Sequence, residues 1–162
     1  MTYSIWLEPA SKDARYLRKI MQNISEKYNA PMFDPHITLY GEIAKLSTAK
    51  KMVRQCKVSQ MRLRCTGMGH SENLWKTLFI NVKNDKNLKL VYGILQANLE
   101  HKYEFKPHIS LVYGRLDVKN KKCLARELKI KHSITFDRIS IIKSSADVSK
   151  WKKQDTIRLK KT

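Results

Sequence analysis

An α+β fold, built as one domain of two similar lobes, is predicted by three observations. The order strand, helix, histidine strand, helix, strand occurs twice in a chain of 162 residues. The two histidines concerned are 108 − 36 = 72 residues apart, and the pattern occurs only twice, which excludes a stacked solenoid and implies two lobes facing each other. No Gly/Ser/Pro-rich linker separates the halves. Residues 1–162 are therefore expected to form a single domain with lobes at roughly 1–67 and 70–162, crossing near Gly67 and Gly69. The expected architecture is bilobal with a pseudo-twofold axis: antiparallel sheets form a central groove and the helices pack outside. A chain of this length buries about 70% of its unfolded surface, so no covalent staple is needed.

The first lobe begins with a short strand at residues 3–7, stopped by Pro9. Ser11 is expected to cap a helix whose apolar positions Leu17, Ile20, Ile24 and Tyr28 recur at spacings of three and four. Ala30 and Pro31 end it. Residues 35–41 alternate as a strand and close on Gly41. Ser47 is expected to cap a shorter helix running to Cys56, and residues 58–66 alternate with Met61, Leu63 and Cys65 on one face.

The second lobe repeats the order. Residues 75–82 read as a strongly apolar strand, and Asp85 as the cap of a helix carrying Leu88, Val91, Tyr92, Leu95 and Leu99. Residues 107–114 form the second histidine strand, again closed by glycine. A helix from about Asp117 to Leu128 and a strand over residues 133–142 complete the repeat, and a last strand around residues 151–159 lies outside it.

Composition narrows the function classes. The chain holds 33 Lys and Arg against 14 Asp and Glu, a net charge of +19. The first 40 residues carry five basic and four acidic residues, leaving +18 on the rest. Such a field attracts phosphate-rich partners, although no run of five or six consecutive like charges marks a nucleic-acid tail. Cys56, Cys65 and Cys123 are odd in number and lack metal or disulfide spacing, which suits a reducing cytosol. His70, His101 and His132 have no motif partner and are expected at the surface or as satisfied polar groups. No metal and no cofactor are expected. With no apolar run of membrane length and no signal-peptide pattern, the expected location is cytoplasmic, with no membrane contact. A monomer is the default.

The two histidine strands carry the chemistry. Pro35-His36-Ile37-Thr38-Leu39 and Pro107-His108-Ile109-Ser110-Leu111 share the form His-x-[Thr/Ser], each followed shortly by Tyr-Gly. Alternation places His36 with Thr38 on one face and His108 with Ser110 on one face, while Ile37, Leu39, Ile109 and Leu111 point into a core. A pseudo-twofold arrangement lines one groove with both imidazoles and both hydroxyls. That set suits attack on a phosphate ester: one neutral imidazole takes a proton from water, and a protonated one delivers a proton to the departing ribose oxygen. The hydroxyls of Thr38 and Ser110 can donate to the non-bridging oxygens, where negative charge builds.

On these motifs the chain resembles the two-histidine (2H) phosphoesterase superfamily, which is defined by paired His-x-[Thr/Ser] motifs in a bilobal α+β fold. The likeness spans the opening strand, both motifs, their spacing and the closing strand at Trp151. It is greatest to the cyclic phosphodiesterase (CPDase)-like branch of plants and yeast. That resemblance implies hydrolysis of nucleoside 2′,3′-cyclic phosphates, or of ADP-ribose 1″,2″-cyclic phosphate from tRNA splicing, to a 2′-phosphate or 1″-phosphate. It further implies His36 as general acid, His108 as general base, Thr38 and Ser110 on the phosphate, Tyr113 near the ligand and aromatic side chains near the nucleotide, for which Trp6 and Trp75 are the candidates to stack on a base or a ribose edge. Strict alternation would put Tyr113 on the core face with Ile109 and Leu111, so a bulge or the strand end must redirect it.

The strong positive charge keeps a second branch open, the RNA-end 2′,3′-cyclic phosphodiesterases and 2′-5′ RNA ligases, for which Arg115 follows the second motif. A non-catalytic RNA-binding module is the reading from another class. The intact pair of acid–base groups argues against it.

Overall fold

A computed structural model of the chain describes residues 1–98 and 104–162. In chain order the elements are β1 (Thr2–Pro9), α1 (Ser11–Tyr28), β2 (Ile37–Ile43), α2 (Leu46–Gln55), β3 (Met61–His70), β4 (Leu78–Val82), α3 (Lys86–Gln96), β5 (His108–Val112), α4 (Val118–Glu127), β6 (Ser133–Ser144), one 3-10 turn (Val148–Lys150) and β7 (Lys152–Arg158). Leu99 and His101 lie outside the described residues.

The strands pair in the order β1-β2-β5-β4-β3-β6-β7, all antiparallel, and β1 also pairs with β6. That extra pairing closes six of the strands into a ring. β6 makes this possible by its length: its first four residues pair with β3, and residues 138–143 pair with β7 on the same side. Its other side runs along the whole of β1. Ile5 and Leu7 of β1, Ile139 and Ile141 of β6, and Ile37 and Leu39 of β2 are all buried in one apolar core. The helices complete it, α1 through Ala14, Leu17, Met21 and Ile24, and α3 through Leu88, Val91 and Leu95. The fold is a single small α+β domain.

Two helix starts are as expected: Asp85 accepts from the Leu88 amide and Asp117 from that of Asn120. The two serine caps are not. Ala10 occupies the cap position of α1 and Lys45 that of α2, so Ser11 and Ser47 fall inside their helices. The start of α1 is tied to β6 instead: the Ala10 amide donates to the Thr135 carbonyl and the Asp13 carboxylate accepts from the Thr135 amide.

The connection between the halves also differs from expectation. Gly67 and Gly69 lie within β3, and the chain reverses only at residues 71–77, so the strand expected from Trp75 begins at Leu78. Gly67 sits at a register shift with φ 137°, and Gly69 faces Phe79 so closely that a β-carbon there would overlap the phenyl ring. These glycines serve a bulge and a close approach, where the sequence suggested the crossing between the halves.

Candidate active site

The groove is built on one register pair. Ile37 of β2 lies opposite Ile109 of β5, and both are fully buried. In an antiparallel pair, stepping one residue from this point places His36 beside Ser110 and Thr38 beside His108. Each imidazole thus sits next to the hydroxyl of the other motif. All four residues line a groove of ≈ 740 Å³.

Both imidazoles are held in the same way. His36 Nδ1 lies 2.7 Å from the carbonyl oxygen of Asp34, and His108 Nδ1 lies 2.7 Å from that of Lys106. A carbonyl can only accept, so Nδ1 carries the hydrogen in each ring and Nε2 is the nitrogen left free. The proline after each of these carbonyl residues (Pro35 and Pro107) has no amide hydrogen of its own and fixes the local backbone.

Their environments are unequal. His36 is 4% exposed and stacks flat on the Trp6 indole, with ring centroids 3.5 Å apart and planes 1° from parallel. Burial, with the neighbouring His108 adding to it, pushes its pKa down to about 4. His108 is more open and meets Phe79 edge-on at 5.4 Å. Burial, together with the cation of Lys76, also holds its pKa below the ordinary value of 6.5. Lys76 lines the groove and rests 4.5 Å above the Phe79 ring.

Tyr113 reaches the groove because of a bulge. Phe79 pairs with Ser110 and Leu78 with Val112, which leaves Leu111 as an extra residue. The alternation therefore shifts by one, and β5 ends just before Tyr113. Gly114 follows with φ 97°, a conformation that side chains resist. The Tyr113 ring lines the groove and stacks on Phe33 at 3.8 Å.

Trp75 projects from the 71–77 turn, 46% exposed. The turn is tied down at several points: Thr77 Oγ1 donates to the Gly114 carbonyl at 2.6 Å, and Ser110 Oγ donates to the Trp75 carbonyl at 3.3 Å. Lys121 of α4, itself buried, donates to the Ser71 carbonyl and the Glu72 carboxylate, both at 2.9 Å.

All seven residues singled out in the sequence line this one groove. Trp6 differs from expectation in how it is used: it is 4% exposed and its face is covered by His36. Trp151, absent from the sequence-based site residues, faces Trp75 at 5.8 Å and meets Trp6 edge-on at 5.6 Å. Its indole nitrogen donates to the Ser145 carbonyl. Lys121 was equally invisible, since a lysine on an exposed-looking helix gives no sign that it is buried. Among the described residues no group of three His, Cys, Asp or Glu side chains is placed to hold a metal. The cysteines are free, and burial pushes the thiols of Cys56 and Cys65 up to about 11, which leaves them poor nucleophiles. No helix among the described residues is long and apolar enough to cross a membrane.

Paired His-x-[Thr/Ser] strands across one groove in a closed antiparallel sheet define a two-histidine phosphoesterase architecture. The family model of cyclic phosphodiesterase-like proteins matches residues 1–160, and the chain belongs to that family. Solved structures agree on the fold. LigT of E. coli superposes with a TM-score of 0.65 at 13% identity, covering 98% of this chain and 97% of that one. TT0787 of Thermus thermophilus gives 0.68 at 12% identity, with 99% of each chain covered. Usb1 of Kluyveromyces marxianus gives 0.53 at 13% identity over 98% and 97%. A search of curated proteins by sequence finds no match.

Proposed function

We propose that the protein hydrolyses 2′,3′-cyclic phosphates of nucleotides, or ADP-ribose 1″,2″-cyclic phosphate, to the 2′-phosphate or 1″-phosphate by two-histidine acid–base catalysis. The observation that carries this reading is the matched pair of imidazoles. Each has its Nδ1–H bound to the carbonyl two residues earlier, its Nε2 free, and the other motif's hydroxyl beside it. His108 Nε2 takes a proton from water as the water oxygen bonds to phosphorus. The bond from phosphorus to the ribose 3′ oxygen breaks, and His36 Nε2 gives its proton to that oxygen. Thr38 donates to one non-bridging oxygen, and Ser110 donates to the other once its hydroxyl hydrogen turns from the Trp75 carbonyl. Trp75 and Tyr113 flank the nucleoside, and Trp6 backs the His36 ring.

Burial holds His36 neutral in the free protein, so the acid form is made when a phosphate anion enters the groove and replaces lost solvation with its own charge. Substrate binding and protonation are thereby coupled. The ≈ 740 Å³ groove is large enough for a mononucleotide. LigT has been crystallised in complex with 3′-AMP, which supports a nucleotide in the corresponding groove here.

Phosphorus NMR of cytidine 2′,3′-cyclic phosphate incubated with the protein in EDTA tests the proposal. A single 2′-phosphate product is expected, and it should be lost in folded His36→Ala and His108→Ala variants. Turnover unchanged by either substitution would overturn the mechanism.

A further inference from the structure

The groove carries little fixed positive charge for a site that receives phosphate. The chain holds 33 Lys and Arg, yet among the described residues only Lys76 and Lys106 bring such side chains to its lining. Lys106 is already paired with Glu104 at 3.1 Å. Burial keeps both imidazoles neutral near pH 7, and the hydroxyls of Thr38 and Ser110 carry no charge. A phosphate diester that leaves water for four neutral partners loses solvation without gaining a countercharge.

Lys76 is the exception. Its ammonium rests 4.5 Å above the centre of the Phe79 ring and forms no ion pair among the described residues. An aromatic face holds an ammonium in place but leaves N–H donors and net charge available to an anion. The sheet fixes where this happens. Phe79 lies opposite Ser110 in the ladder of β4 and β5 and meets His108 edge-on at 5.4 Å. The backbone of Lys76 is held as well: its amide donates to the Asn73 carbonyl at 2.9 Å, and Lys121 pins the same turn through the Ser71 carbonyl.

The placement is one-sided. Lys76 lowers the pKa of His108, whereas that of His36 is set by burial, Asp34 and His108. The other titratable groups of the groove near His108 are His36 across the β2–β5 pair and, on its own segment, Glu104 and Lys106. From β4 only Asn81 and Phe79 lie against it, and neither titrates.

We propose that Lys76 is a further catalytic residue, whose ammonium contacts a non-bridging oxygen of the bound phosphate and biases His108 toward its neutral form. The inference rests on the phosphodiesterase reading of the groove given above. A cation beside His108 disfavours an imidazolium there, so the single catalytic proton is displaced toward His36, where the departing oxygen needs it. The ammonium faces an anion from substrate binding to product. The product monoester gains a second negative charge near neutral pH, so the same contact holds product more firmly than substrate.

Two variants test this, with cytidine 2′,3′-cyclic phosphate as substrate and cytidine 2′-phosphate as ligand. Lys76→Met keeps an unbranched chain on the Phe79 ring, and Lys76→Arg keeps the charge. Lys76→Met should raise KM about tenfold and lower kcat about threefold. It should weaken binding of cytidine 2′-phosphate, read by calorimetry, by more than KM rises. In proton NMR of the free protein its His108 titration should move up toward 6.5 while that of His36 stays in place. Lys76→Arg should keep most of the activity. Wild-type kinetics in Lys76→Met, an unmoved His108 titration, or a loss shared in full by Lys76→Arg overturns the inference and leaves the phosphodiesterase reading intact. If the wild-type protein turns over no cyclic phosphate, that reading fails, and calorimetry decides the contact alone. Weaker binding of cytidine 2′-phosphate by Lys76→Met then supports it, and equal binding, or none by the wild type, overturns it.

Discussion

Ile37 and Ile109 face each other across β2 and β5, and each immediately follows a motif histidine. This apolar pair, fully buried, sets the spatial relation of four polar side chains on the opposite face. A one-residue slip would turn both imidazoles into the core and both isoleucines into the groove. The register of the site is thus fixed by hydrophobic burial beneath it. The proposed chemistry depends on that register.

The pH dependence follows from the two depressed imidazoles. Catalysis needs one neutral and one protonated ring, so kcat/KM should be bell-shaped. As pH falls toward about 4 His36 joins His108 in the protonated state, and no neutral ring is left to act as base. As pH rises through the depressed His108 value, below 6.5, the last proton leaves and the acid is lost. Both limbs should therefore lie on the acid side of the ordinary imidazole range. An alkaline limb above pH 7 in kcat/KM would contradict this. The limbs of kcat should sit higher, because bound phosphate favours the charged rings.

The same burial makes stability depend on pH. The unfolded chain binds a proton at His36 near pH 6.5 and the folded protein only near about 4, so the stability this group contributes is fully present above 6.5 and is lost as pH falls through that window. Holding the His36 pKa down at about 4 makes the loss on the order of 3 kcal/mol. Thermal melts of wild type and His36→Leu between pH 4 and 7 check it. The wild-type Tm should fall on acidification and that of the variant should fall less.

Lys121 acts on the groove only through the 71–77 turn. Lys121→Met keeps the buried volume and removes both donated hydrogen bonds, at a cost of about 1–3 kcal/mol. Because Trp75 and Lys76 are presented by that turn, KM for a nucleoside cyclic phosphate should rise several-fold with kcat changed less than about twofold. A variant that loses stability with KM unchanged would show that the anchor is structural only.

Gly69 tests the wall behind His108. A methyl group there displaces the Phe79 ring, which meets His108 edge-on and carries Lys76. Gly69→Ala should lower kcat and move the His108 limb of the pH profile. Gly41→Ala has open space around the new carbon and serves as the control for a glycine change at the groove.

Much of the site was legible because its signals are local. Alternation within five residues put His36 with Thr38 and His108 with Ser110, and the doubled motif pointed to a shared groove. The helix stripes of α1 and α3 and the caps at Asp85 and Asp117 were equally readable from spacing. Elements whose ends depend on distant partners were misplaced. Ser11 reads as a cap until Thr135 of β6 is seen to bond both Ala10 and Asp13, which fixes where α1 starts. Gly67 and Gly69 read as the crossing between the halves until Phe79 is seen across the ladder.

The sequence by itself determined the repeat, the two motifs, the faces on which their side chains lie and the excess of positive charge, since each is a matter of composition or of period along one segment. Only the tertiary structure decided how these parts act on one another. The bulge at Leu111 turned Tyr113 into the groove, and Trp6 stacked on His36, whose burial lowers its basicity. Trp151 came to meet both Trp6 and Trp75. Each of these depends on residues tens of positions apart meeting at a definite distance, and no periodicity along the chain encodes such a meeting.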